Sequence, residues 1–74
     1  NDNFKQSIIM KKFIQLKDNQ NLDVTVFIEH ISYIRNIENG HGYAEGNTII
    51  YMTDKLTFIY THLTYNEVID LINS

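Results

Sequence analysis

Apolar and polar residues alternate along the first part of the chain, a pattern typical of strands with one buried face. Leucine, valine and isoleucine occupy every second position from 22 to 28. An apolar stretch over 13–16 precedes them, and turn-forming residues 17–21 lie between the two stretches. We therefore predict a first hairpin, in which a strand over residues 8–17 pairs with a strand over residues 22–27.

The periodicity changes after this hairpin. Ile28, Ile31 and Ile34 recur at a spacing of three, which predicts one helical turn over 29–32 before a third strand over 33–37. All three glycines fall within 39–47, so we expect the longest loop there. Two β-branched and apolar stretches beyond this loop predict a second hairpin, with strands over 48–52 and 56–60 and a tight turn at 53–55.

The chain ends in a pattern typical of a short amphipathic helix. Thr64 and Glu67 have the spacing of a capping box, in which each residue satisfies a backbone N–H of the other. The predicted sheet-facing residues are Val68, Ile69, Leu71 and Ile72, with Asp70 and Asn73 toward solvent. The predicted fold class is α+β: a small antiparallel sheet of about five strands (two hairpins plus a middle strand), with one C-terminal helix packed on one face.

A length of 74 residues allows one small domain, for which we predict residues 8–74, after a flexible leader over 1–7. Met10 is either the true translation start or an ordinary core residue. A chain of this size buries only about 63% of its unfolded surface. Since it has no cysteine, disulfides and the commonest zinc sites are excluded, and self-association remains as a source of stability. The sequence shows no membrane span and predicts a cytoplasmic protein.

The net charge of −3 is unevenly distributed. Residues 1–17 carry four lysines and one aspartate, whereas residues 18–74 carry two cations and eight acids. Phosphate binding requires a basic surface. The acidic body of the domain therefore disfavours nucleic acid as the main partner.

The residues that most often carry chemistry form no recognisable motif here. His30, His41 and His62 lack the spacing of a metal site, and no serine has the glycine neighbours of a nucleophile elbow. His41 lies between two glycines, as either a solvated loop residue or a contact for a partner. The glycine-rich loop precedes a strand, so it lacks the helix N-terminus that holds a phosphate. We expect a non-enzymatic domain with no metal and no cofactor.

Aromatic residues are the more informative feature. Four rings are predicted on the sheet face that the helix leaves uncovered: Phe13, Phe27, Tyr33 and Tyr51. Such a patch on a small domain marks an interface, and we predict a homo-oligomer, most simply a dimer, that binds another protein. In the alternative interpretation, these rings fill gaps around the helix.

The order of these motifs resembles the small flagellar proteins of the FlbD/SwrD type over about residues 12–72. The residues that carry the resemblance are Phe13-Ile14-Gln15-Leu16, Val24-Thr25-Val26, His30-Ile31-Ser32-Tyr33-Ile34, Asn47-Thr48-Ile49-Ile50-Tyr51-Met52 and Thr64 with Glu67-Val68-Ile69. The resemblance implies a small accessory or regulatory protein that acts by binding another protein.

A second resemblance covers residues 31–72. This stretch, with Ile31-Ser32-Tyr33-Ile34 and residues 63–71, is similar to the first half of a LytTR DNA-binding domain. That resemblance implies a DNA-binding transcriptional regulator, which is our alternative function. Retention on DNA that weakens with salt would favour it over the protein-binding function.

Overall fold

The computed structural model describes residues 12–38 and 46–74, which form five strands and one α-helix. The strands are β1 (Phe13–Lys17), β2 (Asp23–Phe27), β3 (Ile31–Asn36), β4 (Thr48–Met52) and β5 (Phe58–Thr61); the helix is α1 (Tyr65–Asn73). Every strand pairing is antiparallel. The α+β class, with two hairpins, a middle strand and a C-terminal helix, is thus confirmed. Three predictions lie wholly or largely outside the described residues: the leader over 1–7, the start of the first strand over 8–11 with Met10, and the loop over 39–47.

The five strands are divided between two sheets. β1 pairs with β2, and a three-stranded sheet has the order β3-β4-β5. The sheets are joined at one corner, where the Asn19 N–H donates to the Tyr60 carbonyl at 2.8 Å and the Thr61 hydroxyl donates to the Lys17 carbonyl at 2.8 Å. The inner faces of both sheets and α1 therefore enclose a common core.

The first hairpin follows its sequence pattern. Ile14, Leu16 and Val26 are buried, while Phe27 and the other alternate positions are exposed. The turn is held by the Asp18 carboxylate, which accepts from the backbone N–H groups of residues 20 and 22. Asn21 adopts a φ of 65°, a conformation that asparagine tolerates better than most residues.

The predicted helical turn is displaced and shorter. A 3-10 turn covers Ile28–His30 rather than 29–32, and β3 begins at Ile31 rather than at 33. The register of β3 on β4 shifts between Ile31 and Tyr33, so Ile31 and Ile34 both pack against the core although they are three residues apart. A strand irregularity, rather than a helix alone, therefore produces the spacing of three.

The turn between β4 and β5 is longer than predicted, and β5 begins at Phe58 rather than at 56. The Asp54 carboxylate accepts from the backbone N–H groups of Leu56 and Thr57 and from the Thr57 hydroxyl. Lys55 has a φ of 67°. These bonds hold residues 56–57 in the turn, since an aspartate that bonds its following backbone competes with strand pairing.

The pKa of Asp54 is lowered, first by the Thr57 hydroxyl and then by the backbone N–H groups of Thr57 and Leu56. Because the folded pKa lies below the unfolded one, the carboxylate stabilises the turn above the unfolded pKa, and this is lost as the pH falls through the folded pKa. We expect the Thr57 amide resonance to titrate with a midpoint below that of aspartate in an unfolded peptide. Asp54→Asn should remove the transition, and a midpoint at or above the peptide value would contradict the assignment.

The core lies between the two sheets and α1. Its buried residues are Ile14, Leu16, Val26, Ile50 and Val68. Two buried threonines at its margin are satisfied, since the Thr48 hydroxyl donates to the Leu63 carbonyl at 2.8 Å and Thr61 bonds Lys17. The predicted helix face is confirmed: Val68 is wholly buried, its three apolar companions are half-buried, and Asp70 and Asn73 are exposed.

Thr64 caps α1 as predicted. Its hydroxyl accepts from the Glu67 N–H at 3.1 Å, and its own N–H donates to the Glu67 carboxylate at 2.8 Å. We expect Thr64→Ala to lower the free energy of unfolding by about 1 kcal/mol because an N-terminal helix donor loses its acceptor. Asn66→Ala, at an exposed position of the same turn, is the control and should cause no loss. An unchanged denaturation midpoint for Thr64→Ala would contradict the cap.

Candidate interaction surface

The outer face of the three-stranded sheet carries two rows of side chains that run across the strands. In one row, Tyr51 pairs in register with both Tyr33 and Phe58. In the other, Ile49 pairs with both Arg35 and Tyr60. Ile49 is only 1% exposed, so the outer face is closed to solvent at this position. These positions point away from the core because their neighbours Ile34, Ile50 and Ile59 belong to it. We call the exposed and half-buried members the aromatic face: Tyr33, Arg35, Tyr51, Phe58 and Tyr60.

The rings of the aromatic face form a continuous series of contacts. Tyr33 and Tyr51 stack with their ring centroids 4.3 Å apart and an interplanar angle of 15°. Tyr51 lies 6.2 Å from Phe58, which meets Tyr60 edge-to-face at 5.5 Å. Such contacts between neighbouring strands stabilise a sheet and limit the freedom of each ring. The face is therefore ordered before any partner binds.

Arg35 is the single formal charge of this face. Its guanidinium carbon lies 5.9 Å from the Tyr33 ring centroid and 5.7 Å from the Tyr51 ring centroid, within the range of cation–π attraction. Arg35 remains exposed. The guanidinium thus supports the stacked pair and keeps N–H donors available at the surface.

Part of the aromatic face is open to solvent. Tyr33 is 49% exposed and Phe58 is 50% exposed. Beyond Phe58, the turn presents Leu56, which is 84% exposed and shares a shallow groove with Tyr33, Tyr51 and Lys55. Neighbouring exposed apolar side chains of this size mark interaction surfaces in small proteins.

The four rings predicted from the sequence form two separate pairs. Phe13 and Phe27 are opposite in register on the first hairpin and meet edge-to-face at 5.9 Å, both about half exposed. Tyr33 and Tyr51 lie on the other sheet. The sequence analysis did not identify Phe58, Tyr60 or Arg35, and the cross-strand register is the only signal that places them beside Tyr51.

The two histidines in the described part of the chain, His30 and His62, make separate contacts. His62 lies with its Nε2 3.3 Å from the Asn19 carbonyl, and the His30 Nε2 is 3.5 Å from the Glu29 carboxylate. His41 lies outside the described residues. Over residues 12–38 and 46–74, no three histidine, aspartate or glutamate side chains are grouped so that they could hold a metal ion.

The described segments contain no helix that is both long and apolar enough to cross a bilayer. The chain matches no protein-family model, no curated protein and no solved structure. The resemblances to flagellar and LytTR proteins therefore stay predictions.

Proposed function

We propose that the chain is a small non-enzymatic protein-binding domain, accessory or regulatory in role, that self-associates through the aromatic face. The observation that carries the proposal is the stacked, half-exposed series of rings from Tyr33 to Phe58 on a sheet face opposite the core. An ordered aromatic patch binds at low entropic cost because its side chains are already held in place.

The composition of the face favours a second copy of the chain as the first partner. A two-fold interface brings the same patch from each subunit together, so the patch must be complementary to itself. Rings pack on rings, and tyrosine hydroxyls both donate and accept hydrogen bonds. The five residues of the face include no carboxylate. Their one charge, Arg35, is repeated in the second copy, where each guanidinium already lies over the Tyr33 and Tyr51 rings of its own subunit.

The size of the exposed patch bears on the expected affinity. Half-exposed Tyr33 and Phe58 supply roughly 200 Å² per subunit, about a quarter of the ~800 Å² per partner of a standard interface. Leu56 and Arg35 enlarge the contact. We therefore expect a dissociation constant in the micromolar range and a protomer that folds on its own.

A role as an accessory or regulatory protein is supported by the motif order shared with FlbD/SwrD-type proteins. That resemblance includes Tyr33 and Tyr51, which stack in the structure. A self-associating domain that presents a second surface to a target is suited to such a role.

The aromatic face also bears on the alternative function. Rings beside an arginine on an antiparallel sheet are the arrangement on which single-stranded nucleic acids stack. The eight acids of residues 18–74 oppose this, since a phosphate backbone requires a basic surface. Fluorescence anisotropy with labelled single-stranded and double-stranded DNA at low salt separates the two functions. We expect no binding to either.

Sedimentation velocity of the wild-type chain from low micromolar to millimolar concentration tests the proposal. The expected result is a reversible shift from 8.7 kDa toward twice that mass as the concentration rises. A single 8.7 kDa species over the whole range would overturn self-association.

A further inference from the structure

An open groove with an apolar floor follows α1 and reaches the first hairpin at one end. Its floor is formed by Leu63 and Leu71, which are half-buried and expose one side to the groove. Two adjoining hollows share these leucines: one follows α1 to Ser74, and the other reaches Leu16 and the turn at Asp18. The groove is thus separate from the aromatic face.

The rim of this groove is acidic. Glu67 and Asp70 lie on α1, and Asp18 lies in the turn of the first hairpin. The carboxylates of Asp18 and Glu67 also accept backbone N–H groups within the fold, so they contribute negative charge from fixed positions. The lysine on the rim, Lys17, is already paired with Asp23 at 2.6 Å.

The negative charge of α1 is not compensated from its own part of the chain. Residues 56–74 contain no lysine or arginine, and the last turn of the helix has no basic residue. The helix dipole adds a partial negative charge at that end. An apolar floor therefore lies within a field that attracts cations.

We propose that this groove binds a basic amphipathic helix of another protein. The apolar side chains of that helix would pack on Leu63 and Leu71. Its lysines or arginines would pair with Asp70 and be attracted by the fixed negative charges of Asp18 and Glu67. Helix-in-groove recognition uses this combination of an apolar floor and complementary rim charges. Because the groove is separate from the aromatic face, one protomer can dimerise and hold this helix at the same time.

Fluorescence anisotropy with two synthetic peptides tests the proposal. One peptide places leucines and lysines at amphipathic helical spacing, and the other has glutamate at every lysine position. We expect the lysine peptide to bind with an affinity that falls as salt rises, and the glutamate peptide to show no binding. Equal binding of both peptides would overturn the proposed charge complementarity.

Asp70→Lys provides the site-specific test. The position is exposed, and a cation near the C-terminus of α1 favours the helix, so the fold should be retained. We expect a loss of about tenfold or more in affinity for the lysine peptide because an attraction becomes a repulsion. Glu29→Lys makes the same change in net charge outside the groove and should have a much smaller effect. Equal losses in the two variants would show that only net charge matters and would overturn the proposal.

Sedimentation of Asp70→Lys distinguishes a second copy as the occupant. Self-association equal to that of the wild type is expected if the groove receives a different protein. A weakened dimer would assign the groove to the homodimer and overturn this inference. The aromatic face is tested separately by variants at Tyr33.

Discussion

Replacing Ile50 by alanine is expected to lower the free energy of unfolding by about 4 kcal/mol, the largest loss we expect from any single core truncation. Ile50 is wholly buried on the central strand, in register with Ile34 and Ile59 on its two neighbours. Truncation removes apolar contacts with both neighbouring strands and leaves a cavity between the sheets and α1. Chemical denaturation followed by circular dichroism measures the loss.

Two variants calibrate this result. Ile50→Val removes one methylene and should cost about 1 kcal/mol. Leu71→Ala should cost less than Ile50→Ala, because Leu71 is only half-buried and its outer side faces the groove. If Ile50→Ala costs no more than Ile50→Val, the inner face of β4 is not the centre of the core.

Tyr33→Glu is expected to raise the dissociation constant of the proposed dimer about 100-fold or more. The substitution removes a stacked ring and places a carboxylate in the contact, and a two-fold interface contains it twice. Tyr33 is 49% exposed, so the protomer should stay folded. Sedimentation velocity gives the dissociation constant, and circular dichroism reports the fold.

Two controls separate the ring of Tyr33 from its hydroxyl and show which of the two sheets forms the interface. Tyr33→Phe keeps the ring and removes only the hydroxyl, so it should weaken the dimer far less than Tyr33→Glu. Phe27→Glu places the same charge on the first hairpin, at a ring that is similarly exposed. If Phe27→Glu dissociates the dimer while Tyr33→Glu does not, the hairpin pair forms the interface, and the assignment to the aromatic face is wrong.

Much of the fold can be predicted from local patterns. An apolar stretch locates β1, alternation locates β2, and the Thr64–Glu67 spacing locates the start of α1 within one residue. The errors occur where a local interaction changes the periodicity. A strand irregularity brings Ile31 and Ile34 to one face at a spacing typical of a helix. The Asp54 carboxylate holds residues 56 and 57 in a turn, although the sequence pattern predicts them in a strand.

The surface is less predictable than the fold because it depends on pairing between distant strands. Tyr33 and Tyr51 can be placed on the outer face from the sequence because they alternate along their strands with residues of the buried face. Phe58 joins them only because the length of the β4–β5 turn sets the register that places it opposite Tyr51. Periodicity within a strand also gives no sign that the strands divide into two sheets, which separates Phe13 and Phe27 from the tyrosines.

Isotope-filtered NOE spectroscopy on a mixture of labelled and unlabelled chains tests the central claim most directly, because it detects only contacts between subunits. At millimolar concentration we expect intermolecular cross-peaks among the ring protons of Tyr33, Tyr51 and Phe58. Intermolecular contacts confined to Phe13 and Phe27 or to α1, with none at the aromatic face, would contradict it.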